Sequence, residues 1–100
     1  MERFASFAEF YPFYLSQHRD RICRRLHVVG SALVLLIAAT ALVRHDLRGV
    51  PLALLVGYGF AWVGHHFFEH NRPATFRFPF YSFAGDWVMF RDVLTGRIPF

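Results

Sequence analysis

Two apolar runs dominate the middle of the chain, at residues 28–43 and 50–68. The first is 16 residues without a charge, and at about 1.5 Å per residue it spans roughly 24 Å, against about 30 Å for the hydrocarbon core of a bilayer. A short polar link joins the runs, and Pro51 is typical of the first positions of a helix. The pattern therefore predicts an antiparallel helical hairpin over 26–43 and 50–70.

The N-terminal segment carries aromatic residues at intervals of three and four, the spacing of one helical face. Pro12 lies among them, and proline removes a hydrogen bond from a helix interior. We therefore expect two short turns in residues 1–15 rather than one helix. The aromatic positions are Phe4, Phe7, Tyr11 and Tyr14.

A second amphipathic pattern follows the hairpin. Apolar residues recur there at steps of four, three and four, with Asp86 and Asp92 off their face. Because Trp favours the headgroup level of a membrane, we predict a helix over 83–95 that lies in the interface. The apolar positions are Phe83, Trp87, Phe90 and Leu94.

Composition favours a membrane protein over a soluble one. The chain has 100 residues, 55% of them hydrophobic, 13 of them Phe and only 18% charged. A soluble helical bundle with a buried hairpin is the alternative, but it needs a larger core than so short a chain can cover. The predicted fold is thus all-α: one membrane domain, 1–100, with a helical hairpin and flanking interfacial amphipathic helices.

The charge pattern predicts how the hairpin is oriented. All 11 basic residues are Arg, against 7 acidic ones, for a net charge of +4. Five Arg precede the hairpin, two lie in its turn and four follow it, so the positive-inside rule puts both termini in the cytoplasm. These Arg flank apolar runs, which indicates lipid headgroups rather than nucleic acid as the partner. Cys23 is the single cysteine, which excludes an intramolecular disulfide and a cysteine-rich metal site.

Histidines mark one end of the hairpin. His27 enters the first helix and His65 leaves the second, so an antiparallel pair places them at one depth on the cytoplasmic side. Glu69 shares a helical face with His65, and mixed nitrogen and oxygen ligands suit non-haem iron, with zinc or manganese less decisive. His18 would lie roughly 13 Å from His27 on a continuous helix and joins them only if the helix breaks. The alternative is that these histidines are amphipathic groups at a polar boundary.

The histidine spacing, with the element Gly64-His65-x-x-Phe68-Glu69-x-x-Arg72-Pro73-Ala74, resembles the 2-hydroxy-fatty-acid dioxygenase-like family of small membrane proteins. Characterised fungal members are iron(II)-dependent enzymes that use oxygen to shorten a 2-hydroxy fatty acid by one carbon, in the breakdown of phytosphingosine. This chain resembles a compact bacterial form, because larger members have further membrane segments between the two motifs. Where the family pattern has Asn, this chain has Cys23.

The resemblance implies roles for individual residues. His18, His27 and His65 match histidines proposed as the family's iron ligands. Glu69 matches its glutamate, and its spacing from His65 makes it either a further ligand or a group that fixes His65, a catalytic role in either case. His66 and His70 lie where the pattern has other residue types, and their role stays open.

Arg24 and Arg25 have two interpretations. They are candidates to bind a substrate carboxylate, but the simpler interpretation is that they anchor the chain to lipid headgroups.

The implied function is an Fe(II)-dependent dioxygenase of 2-hydroxy fatty acyl chains, in the bacterial inner membrane. The alternative is a non-catalytic membrane protein that binds lipid or a protein partner through its aromatic helix. A homo-oligomer is compatible with either, because a single hairpin makes a thin bundle.

Overall fold

The computed structural model describes residues 4–72 and 77–100. They form helices and no strands, which confirms the predicted all-α fold. In chain order the helices are α1 (Phe7–Ser16), α2 (Arg21–Arg44), α3 (Gly49–Val63), a π-helical turn (Gly64–Glu69) that continues α3, and α4 (Pro79–Leu94).

Helix α1 is continuous, so the expectation of two short turns was wrong. Ser6 caps the helix by accepting a hydrogen bond from the Glu9 backbone N–H at 3.3 Å. Pro12 lies inside the helix and removes one backbone hydrogen bond. The helix persists because Phe10 and Tyr14, on either side of the proline, are fully buried against the rest of the molecule. Tertiary packing here outweighs a local helix breaker.

A break separates α1 from α2. Helix α1 ends at Ser16, and Asp20 caps α2, with its Oδ1 accepting from the Cys23 N–H at 3.0 Å. The residues between them form a turn, which carries His18. The helix therefore breaks before His27, which is what the sequence analysis required for His18 to join the other histidines.

Helices α2 and α3 pair as the predicted hairpin, over a longer span than predicted. Helix α2 begins at Arg21, five residues before the expected start, because the Asp20 cap lies before the basic residues. His45 ends α2 in the left-handed conformation (φ 51°), and Arg48 and Asp46 pair at 2.8 Å in the turn. The helices approach closely after it, since a Cβ on Gly49 would lie 2.4 Å from that of Ala41.

The hairpin leaves most of its apolar surface uncovered. Both of its helices, Arg21–Arg44 and Gly49–Glu69, are long and apolar enough to cross a membrane. Within their most apolar stretches only 22% and 11% of residues are buried. The soluble alternative required a buried hairpin, and the described residues do not bury it.

Helix α4 packs on α1 and α2 mainly through residues outside the apolar face that the sequence predicted. It begins at Pro79, four residues before the predicted start, since proline suits the first helical position. Of the predicted apolar face, Phe83 and Leu94 are 65% and 67% exposed, whereas Trp87 and Phe90 are half-buried. The opposite face packs inward, where Gly85 lies against the Tyr14 ring and a Cβ there would meet it at 2.8 Å. The buried residues of α4 are Ser82, Gly85, Met89, Asp92 and Val93.

The core lies between α1 and α4, at one end of the hairpin. Phe10 is fully buried within a group of aromatic rings whose centroids lie 5.3 to 6.1 Å from its own. Edge-to-face and tilted ring pairs of this kind add to the energy of apolar burial. The aromatic layer therefore fixes α1 and α4 to the end of the hairpin that carries the histidines. Its rings are Phe4, Phe7, Phe10, Phe13, Tyr14, Phe78 and Tyr81.

Candidate metal centre

Three buried histidines meet where three segments of the chain converge. His18 comes from the turn after α1, His27 from the second turn of α2, and His65 from the π-helical turn. Their exposed fractions are 1%, 6% and 1%, and their ring centroids lie 4.5, 4.6 and 4.9 Å apart. One nitrogen from each ring lies within 4.8 Å of the other two. This arrangement can hold a metal ion.

The second nitrogen of each ring is already engaged by an oxygen acceptor. Nδ1 of His18 donates to the Tyr14 carbonyl at 2.7 Å, and Nδ1 of His27 to the Cys23 carbonyl at 2.9 Å. Nδ1 of His65 donates to Oδ1 of Asn71 at 2.6 Å. Carbonyl oxygens cannot donate, so each proton resides on Nδ1 and each Nε2 presents a lone pair.

The three lone pairs converge without a proton between them. The Nε2 atoms of His18 and His27 are 3.2 Å apart, and neither ring has a second proton to share when Nδ1 carries the first. Burial lowers the pKa of His18 well below its usual range, and His27 and His65 lower it further. The histidine is therefore neutral near pH 7, the form that ligates metals.

The π-helical turn explains how the Asn71 side chain reaches the His65 ring. Along a regular α-helix, Asn71 would lie about 120° around the axis from His65. The wider turn ends at His70, which takes a left-handed φ of 59°, and the Asn71 N–H then bonds the His65 carbonyl at 3.0 Å. This geometry brings the Asn71 side chain back onto the imidazole. Such π-helical insertions are frequent at functional sites.

Asn71 is a positioning residue that the sequence did not reveal. Its Nδ2 donates to the backbone and side-chain oxygens of Gln17 at 3.3 and 3.1 Å. With both amide hydrogens directed at Gln17, Oδ1 faces His65. Asn71 therefore ties the π-helical turn to the turn that carries His18.

We expect Asn71→Ala to weaken divalent-metal binding by about 10- to 100-fold, the usual cost of losing the partner of a ligating histidine. The measurement is an anaerobic cobalt(II) titration in detergent, followed by visible absorption. His70→Asn is the matched control, because His70 is exposed and Asn tolerates its left-handed φ. Equal affinities for Asn71→Ala and the unmodified protein would contradict this role.

Glu69 lies beside the histidine group and outside it. Its carboxylate accepts a hydrogen bond from the Asp20 backbone N–H at the start of α2. The ligand group formed by the described residues contains His18, His27 and His65, without Glu69. The contact that the structure gives Glu69 fastens the turn before α2 to the π-helical turn. Its predicted catalytic role stays a prediction.

Arg24 and Arg25 contact backbone oxygens rather than the imidazole rings of the histidine group. Arg24 donates from Nε to the Pro99 carbonyl at 3.2 Å and from Nη1 to the His18 carbonyl at 3.3 Å. Arg25 donates to the Phe100 carbonyl at 3.1 Å, and its guanidinium lies 5.0 Å from the Phe100 ring centroid. Neither lines the cavity described next, so their predicted clamping of a carboxylate stays a prediction.

A cavity of about 720 Å³ opens from the histidine group and runs along the hairpin. Helix α4 lines it near the histidines with Ser82, Phe83, Asp86 and Trp87, and the two hairpin helices line the remainder. Asp86 accepts a hydrogen bond from the Tyr14 hydroxyl. Burial raises the pKa of Asp86 to about 6, against the lowering effect of that hydrogen bond.

No role for Asp86 follows from the sequence pattern, which places it off the predicted apolar face of α4. The signal that marks it is the pairing of a carboxyl with Tyr14, whose ring stacks on His18 at 4.1 Å between centroids. That pairing joins residues far apart in the chain, and it becomes visible only in the folded structure.

Comparison with known proteins gives one match. The family model described as "2-hydroxy-palmitic acid dioxygenase Mpo1-like" matches residues 4–98. No curated protein and no solved structure matches significantly. The matched span covers almost the whole chain and includes every residue of the histidine group. The chain therefore belongs to the Mpo1-like family.

Proposed function

We propose that this protein is an iron(II)-dependent dioxygenase that shortens 2-hydroxy fatty acids by one carbon. The observation that carries the proposal is the histidine group: three buried imidazoles, each held through Nδ1, present three Nε2 lone pairs at the end of an apolar cavity. A largely apolar cavity that ends at a metal-ligating group suits chemistry at the polar end of a lipid.

The donor set suits a divalent metal of borderline softness. Imidazole suits iron, as well as zinc, copper and nickel, and three protein ligands leave coordination positions open for oxygen and substrate. Iron(II) held by His18, His27 and His65 would supply the activation of oxygen. Among these metals, the dioxygenase description of the family favours iron.

The overall reaction needs no further reductant. The conversion R–CH(OH)–COOH + O2 → R–COOH + CO2 + H2O balances in atoms and charge, with the carbon–carbon bond beside the carboxyl broken. The four electrons released by the organic substrate reduce the one oxygen molecule. A site that holds a metal beside an apolar cavity, without a second redox cofactor, is sufficient for this stoichiometry.

We place the hairpin in a membrane with both ends of the described chain on the cytoplasmic side, in a bacterial inner membrane. The uncovered apolar surface of α2 and α3 supports this location. Nine Arg lie outside the hairpin turn and two within it, the bias that the positive-inside rule associates with cytoplasmic segments. The histidine group then lies near the cytoplasmic surface, where a 2-hydroxy fatty acid enters from the lipid.

The test is product analysis after anaerobic purification in mild detergent and loading with iron(II). With 2-hydroxyhexadecanoate and oxygen, mass spectrometry should detect pentadecanoate, and under argon it should not. His66→Ala should retain the activity, because His66 is exposed beside the histidine group. Stoichiometric iron without product would refute this substrate. Neither iron nor product would refute the enzyme and favour a non-catalytic lipid- or partner-binding protein, whose surface would be the exposed face of α4.

A further inference from the structure

The cavity has two chemically different ends. Near the histidine group it is lined by polar side chains from α1 and α4, including Tyr14, Ser82 and Asp86. Along α2 and α3 its lining is mostly apolar, and many of the side chains there are small, up to His45 and Asp46 at the hairpin turn. The Asp46 carboxylate is already paired with Arg48, whereas Ser82 at the histidine end has no partner among the described residues. A molecule with a polar head and a long alkyl tail therefore fits best with its head at the histidine end.

Ser82 is an unsatisfied polar group at the head end. It is 3% exposed, and its Oγ finds no hydrogen-bond partner among residues 4–72 and 77–100. Buried hydroxyls are nearly always hydrogen-bonded, and a helical serine commonly bonds the carbonyl four residues earlier. Ser82 does not, and its residue lines the cavity. An unpartnered hydroxyl in this position is available to a bound molecule.

Asp86 follows Ser82 by four residues, so both side chains lie on the same face of α4. The Tyr14 hydroxyl donates to Oδ1 of Asp86 and fixes the carboxyl at the cavity wall. A hydroxyl donor such as Ser82 beside a carboxyl acceptor such as Asp86 can both give and receive a hydrogen bond. A 2-hydroxy acid, with its hydroxyl next to a carboxylate, needs that combination.

The tail end is a stripe along both hairpin helices. On α2 the lining residues recur at steps of three and four, and the matching residues of α3 run antiparallel to them. Small members of the stripe are Ser31, Ala38, Ala41, Ala53, Gly57 and Ala61. The stripe ends at the turn, where Gly49 closes on Ala41.

The length of the stripe sets the length of the alkyl tail that the cavity can hold. Fourteen residues separate His27 from Ala41, which is about 21 Å along a helix. An extended chain advances about 1.2 Å per bond, so the stripe accommodates about 16 to 18 carbons.

We propose that the cavity binds a 2-hydroxy fatty acid with its head at Ser82 and Asp86 and its tail along the α2–α3 stripe toward Ala41. The proposal rests on the proposed function for the identity of the ligand. It adds the residues that recognise the 2-hydroxyl group and the direction in which the tail lies. Ser82 donates to the head of the ligand, and Asp86 accepts from its 2-hydroxyl group.

Recognition of the ligand's head is tested by measuring ligand affinity for the metal-free protein in detergent. A chelator is present, so that no turnover takes place during the binding measurement. The probes are 2-hydroxyhexadecanoate and hexadecanoate. The unmodified protein should prefer the hydroxylated acid, and Ser82→Ala and Asp86→Asn should each reduce that preference by about three- to tenfold, the usual worth of one hydrogen bond. Thr95→Ala, at the C-cap of α4 and outside the cavity lining, should leave that preference unchanged. Equal affinities for the two acids in the unmodified protein would overturn the head assignment.

The tail is tested with a pair of neighbouring substitutions. Ala38 lines the stripe and Ala39 lies outside the lining. Ala38→Phe should weaken binding of 2-hydroxyhexadecanoate by about tenfold or more, because several methylene groups lose their contacts. It should change the affinity for 2-hydroxydecanoate by less than about twofold, because that chain ends roughly 5 Å short of Ala38.

Ala39→Phe should change neither affinity. If the cavity instead takes bilayer lipid or a second copy of the chain, Ala38→Phe and Ala39→Phe will behave alike, and the proposal is overturned. The outcomes for binding and for catalysis are separable. The head and tail substitutions could change ligand affinity as expected while the iron-loaded protein gives no product. That result would refute the dioxygenase activity and support this mode of binding.

Discussion

His65→Ala is expected to abolish both stoichiometric metal binding and oxygen-dependent turnover. His65 supplies one of three converging imidazoles, and two nitrogen ligands are too few to hold iron(II) in competition with water. Because no other part of the site supplies the activation of oxygen, turnover should fall below detection. Iron per chain, measured after gel filtration, and product formation from 2-hydroxyhexadecanoate are the two readouts.

His66→Ala is the matched control for that substitution. It removes an imidazole from the next position in the chain, where the side chain is exposed and lies outside the ligand group. It should retain iron and activity. If His65→Ala retained iron and product at the level of His66→Ala, the metal centre described above would be wrong.

Phe10→Ala is expected to destabilise the fold by about 3–5 kcal/mol, the usual cost of removing a fully buried phenylalanine. Phe10 is 0% exposed and lies in the middle of the aromatic layer between α1 and α4. Its loss leaves a void that α1 can close only by moving, and α1 leads directly into the turn that carries His18. The variant should therefore lose iron affinity as well as stability.

Denaturant unfolding in detergent, followed by circular dichroism, measures the stability change. Phe80→Ala is the control, because Phe80 is on α4 and 88% exposed, and it should change stability by about 0.5 kcal/mol or less in detergent. A Phe10→Ala variant as stable as Phe80→Ala would show that the aromatic layer does not support the fold.

The hairpin was predictable because its signal is a matter of length and composition. Two apolar runs joined by a short polar link leave few alternatives to an antiparallel pair, and the resulting geometry brings His27 and His65 together. The position of His18 depends on whether the helix breaks between His18 and His27, and the sequence alone does not show that break. The Asp20 cap and the end of α1 at Ser16 provide that break.

Other features depend on packing that local patterns do not encode. A π-helical turn has no residue signature, so the contact between Asn71 and His65 could not be inferred from spacing. The continuity of α1 through Pro12 results from the burial of Phe10 and Tyr14. On α4 the apolar stripe is only partly exposed, and the packed face combines the apolar Met89 with small or polar residues such as Gly85 and Ser82.

The proposed function requires that His18, His27 and His65 together bind one iron(II) per chain. Iron-edge X-ray absorption of the anaerobically loaded protein tests it most directly, because imidazole rings produce a distinctive multiple-scattering pattern. We expect one iron per chain with scattering from three imidazoles. A first coordination shell made of oxygen atoms, with no imidazole scattering, would contradict it.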